Sequence, residues 1–166
     1  MTLLIRGRNT HDWPLIVEII QSLPAAEVSI DPHYVGTDYF REHLKAPDNK
    51  REFAVVAELD GKVVGSAALT RGISRLAHSG EIQHLMVNPA AQRQGVGGAL
   101  LEAMVALSEN MLNLSRVVHF IPVENAHALN LHRKCGFVIE GRLRDGLFRD
   151  GRYMDVYILA RVRDAF

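Results

Sequence analysis

The sequence predicts an α/β fold: one domain over 1–166 in which a mixed, mostly antiparallel sheet of about seven strands is flanked by helices. Three observations carry that prediction. Short apolar runs bounded by turn residues recur between amphipathic stretches of helical period. Two Asp-Gly pairs, at 60–61 and 150–151, lie between strand-like runs as hairpin turns. Finally, a strand reaches a helix through Gly95, Gly97 and Gly98. At 166 residues the chain can bury one sizeable core, and 48% apolar with 23% charged residues is an ordinary globular balance.

Residues 3–8 form a short apolar run suited to a first strand. The segment after it places Trp13, Ile16, Val17 and Ile20 at i, i+3, i+4 and i+7, the stripe of an amphipathic helix that Leu23-Pro24 ends. Residues 25–50 are the least regular part, with breakers at Asp31-Pro32, Pro47 and Asp48-Asn49 around a short helix predicted over 37–45. The aromatics Tyr34, Tyr39 and Phe40 and the histidines His33 and His43 suit either a binding-site wall or a solvated connector with aromatic plugs. Residues 53–59 and 62–69 read as strands joined by Asp60-Gly61, which tolerates the positive φ of a type I′ turn. A loop over 73–79 leads to a strand over 81–87. The helix after the glycines shows Leu100, Ala103, Met104, Leu107 and Met111 on one face, turned to the sheet. Residues 116–121 form the next strand and 126–135 the next helix, closed by Gly136 where a left-handed cap is favoured. A long hairpin follows, turned at Asp150-Gly151. Its second arm alternates Tyr153, Asp155, Tyr157 and Leu159 with Met154, Val156, Ile158 and Ala160.

Composition excludes several function classes. Nineteen basic residues face nineteen acidic ones, so no global field recruits nucleic acid or an anionic membrane, and the expected partner is a small molecule or a polypeptide. The single cysteine, Cys135, excludes an internal disulfide and a cysteine-based zinc site, and no metal is expected. Residues 1–6 lack the charged start and long apolar core of a signal peptide, and no run of about 18 apolar residues occurs, so a cytoplasmic location is expected.

The stretch 85–101 reads as an anion-binding device. Its glycines let the backbone approach a ligand without Cβ interference, and the helix starting there offers unpaired N–H groups and the positive end of its dipole. A Walker loop needs a Lys-Ser/Thr pair where Ala99-Leu100 stand, and a dinucleotide fingerprint needs a third glycine where Leu100 stands. What does match is Gln92-x-x-Gly95-x-Gly97 after a strand ending in Val87-Asn88-Pro89, which resembles the acetyl-CoA signature of the GCN5-related N-acetyltransferase (GNAT) family. A second segment, Asn125-Ala126-His127-Ala128-Leu129-Asn130-Leu131-His132-Arg133-Lys134-Cys135-Gly136-Phe137, resembles the later signature of the same family, Asn-x-x-Ala-x-x-Leu-Tyr-x-x-x-Gly-Phe, with His132 in place of the tyrosine. Seven residues make nearly two helical turns, so Asn125 and His132 share a face roughly 10 Å apart along the axis, and one extended ligand can touch both.

The resemblance extends over essentially the whole chain. Residues 141–161, with Gly151-x-Tyr153-x-Asp155, are similar to branches that acetylate free amino acids, other small amines or protein N-termini. It implies acetyl-CoA as co-substrate, its pyrophosphate held by the backbone amides of Arg93, Gln94, Gly95, Val96, Gly97 and Gly98. It also implies that the strand at Leu85, Met86 and Val87 splays from its neighbour to bond the pantetheine amides and polarise the thioester carbonyl. A donor of that oxyanion type is worth about 10²- to 10³-fold in rate. Asn125 is implied along the pantetheine arm and His132 near the thioester sulfur. Arg133 and Lys134 suit either the ribose phosphate or the dipole of their own helix end.

The chemistry so implied is attack of a primary amine on a thioester. An amine with a pKa near 10 has to lose a proton first, and a positioned base helps by about 10²- to 10⁴-fold. Glu81 begins the strand that carries the thioester contacts and stands where the family's histone-acetylating branch places its base; the alternative is an exposed strand-end carboxylate. His84 and His119 also lie on central strands, where a buried, hydrogen-bonded histidine is commoner than a catalytic one. At position 132 an imidazolium is scarce at pH 8 and scarcer when buried. Neutral His132 is therefore expected to donate a hydrogen bond to the sulfur, with the thiolate protonated by solvent or by the ammonium product. Cys135, on a stripe with Ala128 and Leu131, reads as packing. Tyr34 and Phe40, the start of the 81–87 strand and the 146–153 hairpin tip are expected to shape the acceptor pocket. The leading function is acetyl transfer to an amino acid or other small amine. The alternatives are peptide or protein N-terminal acetylation, a catalytically idle acyl-CoA-binding module and a nucleotide-binding regulatory domain. Oligomeric state is not fixed by the sequence, and a homodimer stays open.

Overall fold

The apolar run at the start of the chain forms β1 (Leu3–Gly7), and α1 (Trp13–Ser22) follows it. This computed structural model of the protein describes residues 1–24, 38, 39, 42 and 51–163. The predicted helix over 37–45 falls largely outside those residues, although Asp38, Tyr39 and Glu42 are helical and exposed. Tyr34 and Phe40 lie outside them altogether. α1 buries its stripe of Trp13, Ile16, Val17 and Ile20 against Val56 of the sheet.

Two primed turns build the hairpins. Asp60 and Gly61, with φ of 48° and 81°, join β2 (Glu52–Leu59) to β3 (Lys62–Arg71). Their twist matches that of the strands they connect. β4 (Ser79–Val87) leads to α2 (Val96–Ala106), then β5 (Arg116–Pro122) to α3 (Ala126–Lys134). β6 (Val138–Arg149) and β7 (Arg152–Val162) close the chain around Asp150 and Gly151, with φ of 51° and 75°. Among the described residues, seven strands lie in the order β1-β2-β3-β4-β5-β7-β6. β4 and β5 are the parallel pair, and the other neighbours are antiparallel.

α2 carries the larger core. Leu100, Leu101 and Met104 are fully buried among Leu69, Ile82, Val117, Ile121, Phe137 and Leu159. Burying each large side chain contributes about 1.5–3 kcal/mol. The predicted stripe runs true through Leu107, which packs against the core, and then fails at Met111. Leu107–Met111 form a π-helical turn, with Leu112 N–H donating to Leu107 O at 3.1 Å. The extra residue in that turn rotates the following side chains. Ser108 is thereby buried, its Oγ donating to Val105 O at 2.7 Å, whereas Met111, expected on the sheet-facing stripe, is 79% exposed.

Candidate functional site

Immediately after β4, Asn88 Oδ1 accepts from Ala90 N–H at 2.9 Å and caps a 3₁₀ turn over Pro89–Ala91. Arg93 and Gly95 then take left-handed φ of 60° and 84°, a conformation that turns successive N–H groups toward one side. α2 starts at the next residue, with Gly95 at its N-cap and so no side chain to close it. The N–H of Ala99 is bonded to Gly95 O at 3.0 Å. The six before it, those of Arg93, Gln94, Gly95, Val96, Gly97 and Gly98, have no acceptor among the described residues. Packing does not ask for these glycines. A Cβ on Gly97 would meet Leu131 at 3.4 Å and Val87 at 3.7 Å, one on Gly98 only Leu131 at 3.8 Å, and one on Gly95 nothing. Open donors at the positive end of a helix, with bare backbone toward solvent, fit a pyrophosphate.

The second feature is an opening in the sheet. β4 and β5 pair only where Ser79, Gly80 and Glu81 meet Arg116, Val117 and Val118. Beyond Glu81 the two strands part, while β4 stays paired to β3 through Met86 and Val87. A bulge at His84 and Leu85, which together oppose Ala67, bends β4 within this segment, and His84 takes a φ of 53° there. The outer backbone edge of Leu85, Met86 and Val87 thus borders the opening, and Gln92 Nε2 donates to Val87 O at 3.3 Å. Glu81 sits half-buried where the strands diverge, opposite Thr70 and Val118, and accepts from Gln83 Nε2 at 3.4 Å.

α3 forms the third side. Asn125 is its N-cap, with Oδ1 accepting from Ala128 N–H at 3.1 Å. Its far end closes on Gly136 at φ 81°. Phe137 N–H donates to His132 O at 3.0 Å and Gly136 N–H to Arg133 O at 3.1 Å, the paired bonds of a Schellman cap. Arg161 adds a bond to Cys135 O at 3.0 Å and is itself held by Glu109 at 2.7 Å. Arg133 and Lys134 are exposed. Cys135 is half-buried against the core, and burial pushes its thiol above the ordinary range, as befits packing.

The sequence places His132 in the cleft as a donor to sulfur; the ring found there is fully buried and has both nitrogens engaged by protein. Nδ1 is 2.8 Å from Ala128 O, and Nε2 is 2.7 Å from His119 Nδ1 on β5. Phe137 packs edge-on against it at 5.1 Å. Burial holds His132 below the usual histidine range. Burial, with His132 and His84 nearby, pushes His119 down to about 3. His84 is lowered chiefly by burial as well. The link between His119 and His132 is not stated by the sequence pattern, yet a signal for it exists. Alternation along β5 puts His119 on the face of Val117 and Ile121, the face that packs on the helices.

Known proteins bear on this geometry. The model of the Acetyltransferase (GNAT) family matches residues 13–137. The chain is 33% identical over 162 residues to the L-amino acid N-acetyltransferase AaaT of Escherichia coli K12, covering 97% of this chain and 98% of that protein. It is 32% identical over 125 residues to the spermidine N(1)-acetyltransferase of Vibrio cholerae, 74% of this chain and 70% of that one. A crystal structure of spermidine N-acetyltransferase from Vibrio cholerae in complex with CoA and spermine superposes with a TM-score of 0.81 at 27% identity, over 97% of this chain and 95% of that one.

Proposed function

The chain belongs to the GNAT acetyltransferase family, and on that premise we propose that it transfers acetyl from acetyl-CoA to the primary amine of an amino acid or another small amine. The observation that carries this reading is the set of six backbone donors without acceptors among the described residues, Arg93 through Gly98, beside an opening between β4 and β5. An extended ligand anchored by its pyrophosphate at the head of α2 has that opening within reach for its pantetheine arm. The names of the relatives, one for L-amino acids over nearly the full length and one for spermidine, favour a small amine.

In this reading the amides of residues 93–98 bind the pyrophosphate. The edge of Leu85, Met86 and Val87 that faces away from β3 bonds the pantetheine and polarises the thioester carbonyl. The free amide group of Asn125, whose oxygen is already used as a cap, is left for the pantetheine arm. Lys134, exposed at the end of α3, serves the ribose phosphate. Glu81, at the fork of the two strands, takes the proton that the acceptor sheds before attack, directly or through water. For Tyr34 and Phe40, outside the described residues, the proposed role is contact with the acceptor. The reaction is placed in the cytoplasm, where acetyl-CoA is available; among the described residues no helix is long and apolar enough to cross a membrane, and no group of three or more His, Cys, Asp or Glu is set to hold a metal ion.

Release of free thiol from acetyl-CoA, read with dithionitrobenzoate across amino acids, polyamines, aminoglycosides and short peptides, tests the proposal. Turnover with free amino acids or polyamines is the expected result. Turnover with peptides alone would move the function to N-terminal acetylation. Binding of coenzyme A without turnover on any acceptor would make the protein an idle acyl-CoA module.

A further inference from the structure

We infer that His119 is the side chain that meets the attacking amine, and that His132 is the positioning residue that decides which nitrogen of His119 is free to do so. This rests on the acetyl-transfer reading above. One carbonyl fixes both tautomers. Ala128 O can only accept, so the His132 nitrogen that faces it at 2.8 Å, Nδ1, carries the hydrogen. In the neutral ring Nε2 is then a lone pair. The atom 2.7 Å from that lone pair, His119 Nδ1, therefore donates to it. One tautomer of His119 remains, with hydrogen on Nδ1 and a lone pair on Nε2. That Nε2 has no partner among the described residues, and His119 as a residue is half-buried.

Position gives the lone pair a use. Val118, the residue before His119, is the last of β5 to pair with β4, so His119 is the first beyond the fork, one step from Glu81 across the opening. The titratable groups that face it are His132 from α3 and His84 from β4. Burial keeps all three rings neutral at working pH, so the lone pair is open to accept a hydrogen bond from an arriving amine, while a ring held at about 3 takes no proton from it.

The step balances. As the amine nitrogen bonds to the carbonyl carbon, one of its N–H groups donates a hydrogen bond to His119 Nε2, which aims the nitrogen, and the proton it loses passes to solvent, the electron pair of that N–H bond staying on nitrogen. The C–S bond breaks with its pair on sulfur, and the departing thiolate takes a proton from solvent. A tyrosine hydroxyl at 132 could either donate or accept and so would not fix one tautomer of a neighbouring ring, which gives the departure from the family pattern a chemical meaning.

Three variants and one spectrum test the inference. His119→Ala should lower kcat by about 10²-fold, in the range of a misplaced reactant, with acetyl-CoA affinity by calorimetry unchanged. His132→Phe fills the buried space but offers no acceptor to His119 Nδ1–H and should lower kcat by about tenfold. His132→Gln offers its Oε1 to that N–H and should recover most of the rate. A packing role would give the reverse order, with phenylalanine tolerated and glutamine not. Long-range ¹H–¹⁵N spectra of the unmutated protein should show both rings as Nδ1–H tautomers. Wild-type turnover by His119→Ala with chemistry rate-limiting, the reversed order of the His132 variants, or hydrogen on His119 Nε2 would each overturn this inference alone. No turnover by the unmutated protein with any amine would overturn the acetyl-transfer reading with it.

Discussion

The two walls of the cleft hold their polar groups in opposite ways. On one, residues 93–98 leave six backbone donors open, through two left-handed residues and a helix start without a capping side chain. On the other, His132 spends both ring nitrogens on protein, and Asn125 spends its oxygen on a helix cap. The open wall is suited to hold a large anion whatever side chains stand there. The closed wall orients a neighbour, and its effect reaches the cleft through His119. Binding and chemistry are thereby carried by different kinds of group, and substitutions should separate them.

The largest expected effect concerns the scaffold beneath the open wall. Leu100, fully buried on α2, should cost about 2–5 kcal/mol as Leu100→Ala. The exposed loop residue Gln94, which donates to Ala90 O at 3.0 Å, should cost about 0.5 kcal/mol or less as Gln94→Ala. Urea denaturation of both variants checks the contrast, and equal losses would mean that the loop is part of the folding core.

Acid sharpens the comparison from the closed wall. His84, His119 and His132 all stay neutral below the ordinary histidine pKa of 6.5, chiefly through burial, with His119 at about 3. Once pH drops below about 6.5 the unfolded chain takes up protons that the folded chain refuses. Stability is then complete above about pH 7 and falls as pH drops, by up to about 1.4 kcal/mol per pH unit for each group until that group protonates in the fold, at about 3 for His119. Denaturation midpoints between pH 4 and 8 should show this slope, and His132→Phe should make it shallower. An unchanged slope would mean that the ring is protonated in the fold.

Smaller effects mark the edges. Asn125→Ala should cost about 1 kcal/mol by loss of its cap on α3, seen in thermal unfolding. Lys134→Ala, an exposed charge, should weaken acetyl-CoA binding about threefold or less at physiological salt; a much larger loss in calorimetry would make that residue a principal phosphate ligand.

How much of this was legible in the sequence follows the range of each interaction. Asp60-Gly61 and Asp150-Gly151 announce their hairpins because turn chemistry is local, and Gly136 announces the end of α3 for the same reason. The glycine turn is legible because an anion site made of backbone needs only the residues that leave backbone bare. Met111 defeats the helical period, because one π-turn bonded from Leu112 to Leu107 shifts the phase and buries Ser108 in its stead. His132 is legible as a member of the α3 face but not as the partner of His119, because that contact joins two elements 13 residues apart and depends on how α3 packs on β5.

Calorimetric titration of acetyl-CoA into the unmutated protein and into Gly97→Asp is the most direct test of the open wall as the cofactor anchor. A Cβ at that position meets only ordinary contacts, Leu131 at 3.4 Å and Val87 at 3.7 Å, so the variant should fold. Its carboxylate would stand beside a pyrophosphate, and affinity should fall by about 10²- to 10³-fold. Equal affinity in a folded Gly97→Asp would contradict the account, because the pyrophosphate would then bind somewhere other than the head of α2.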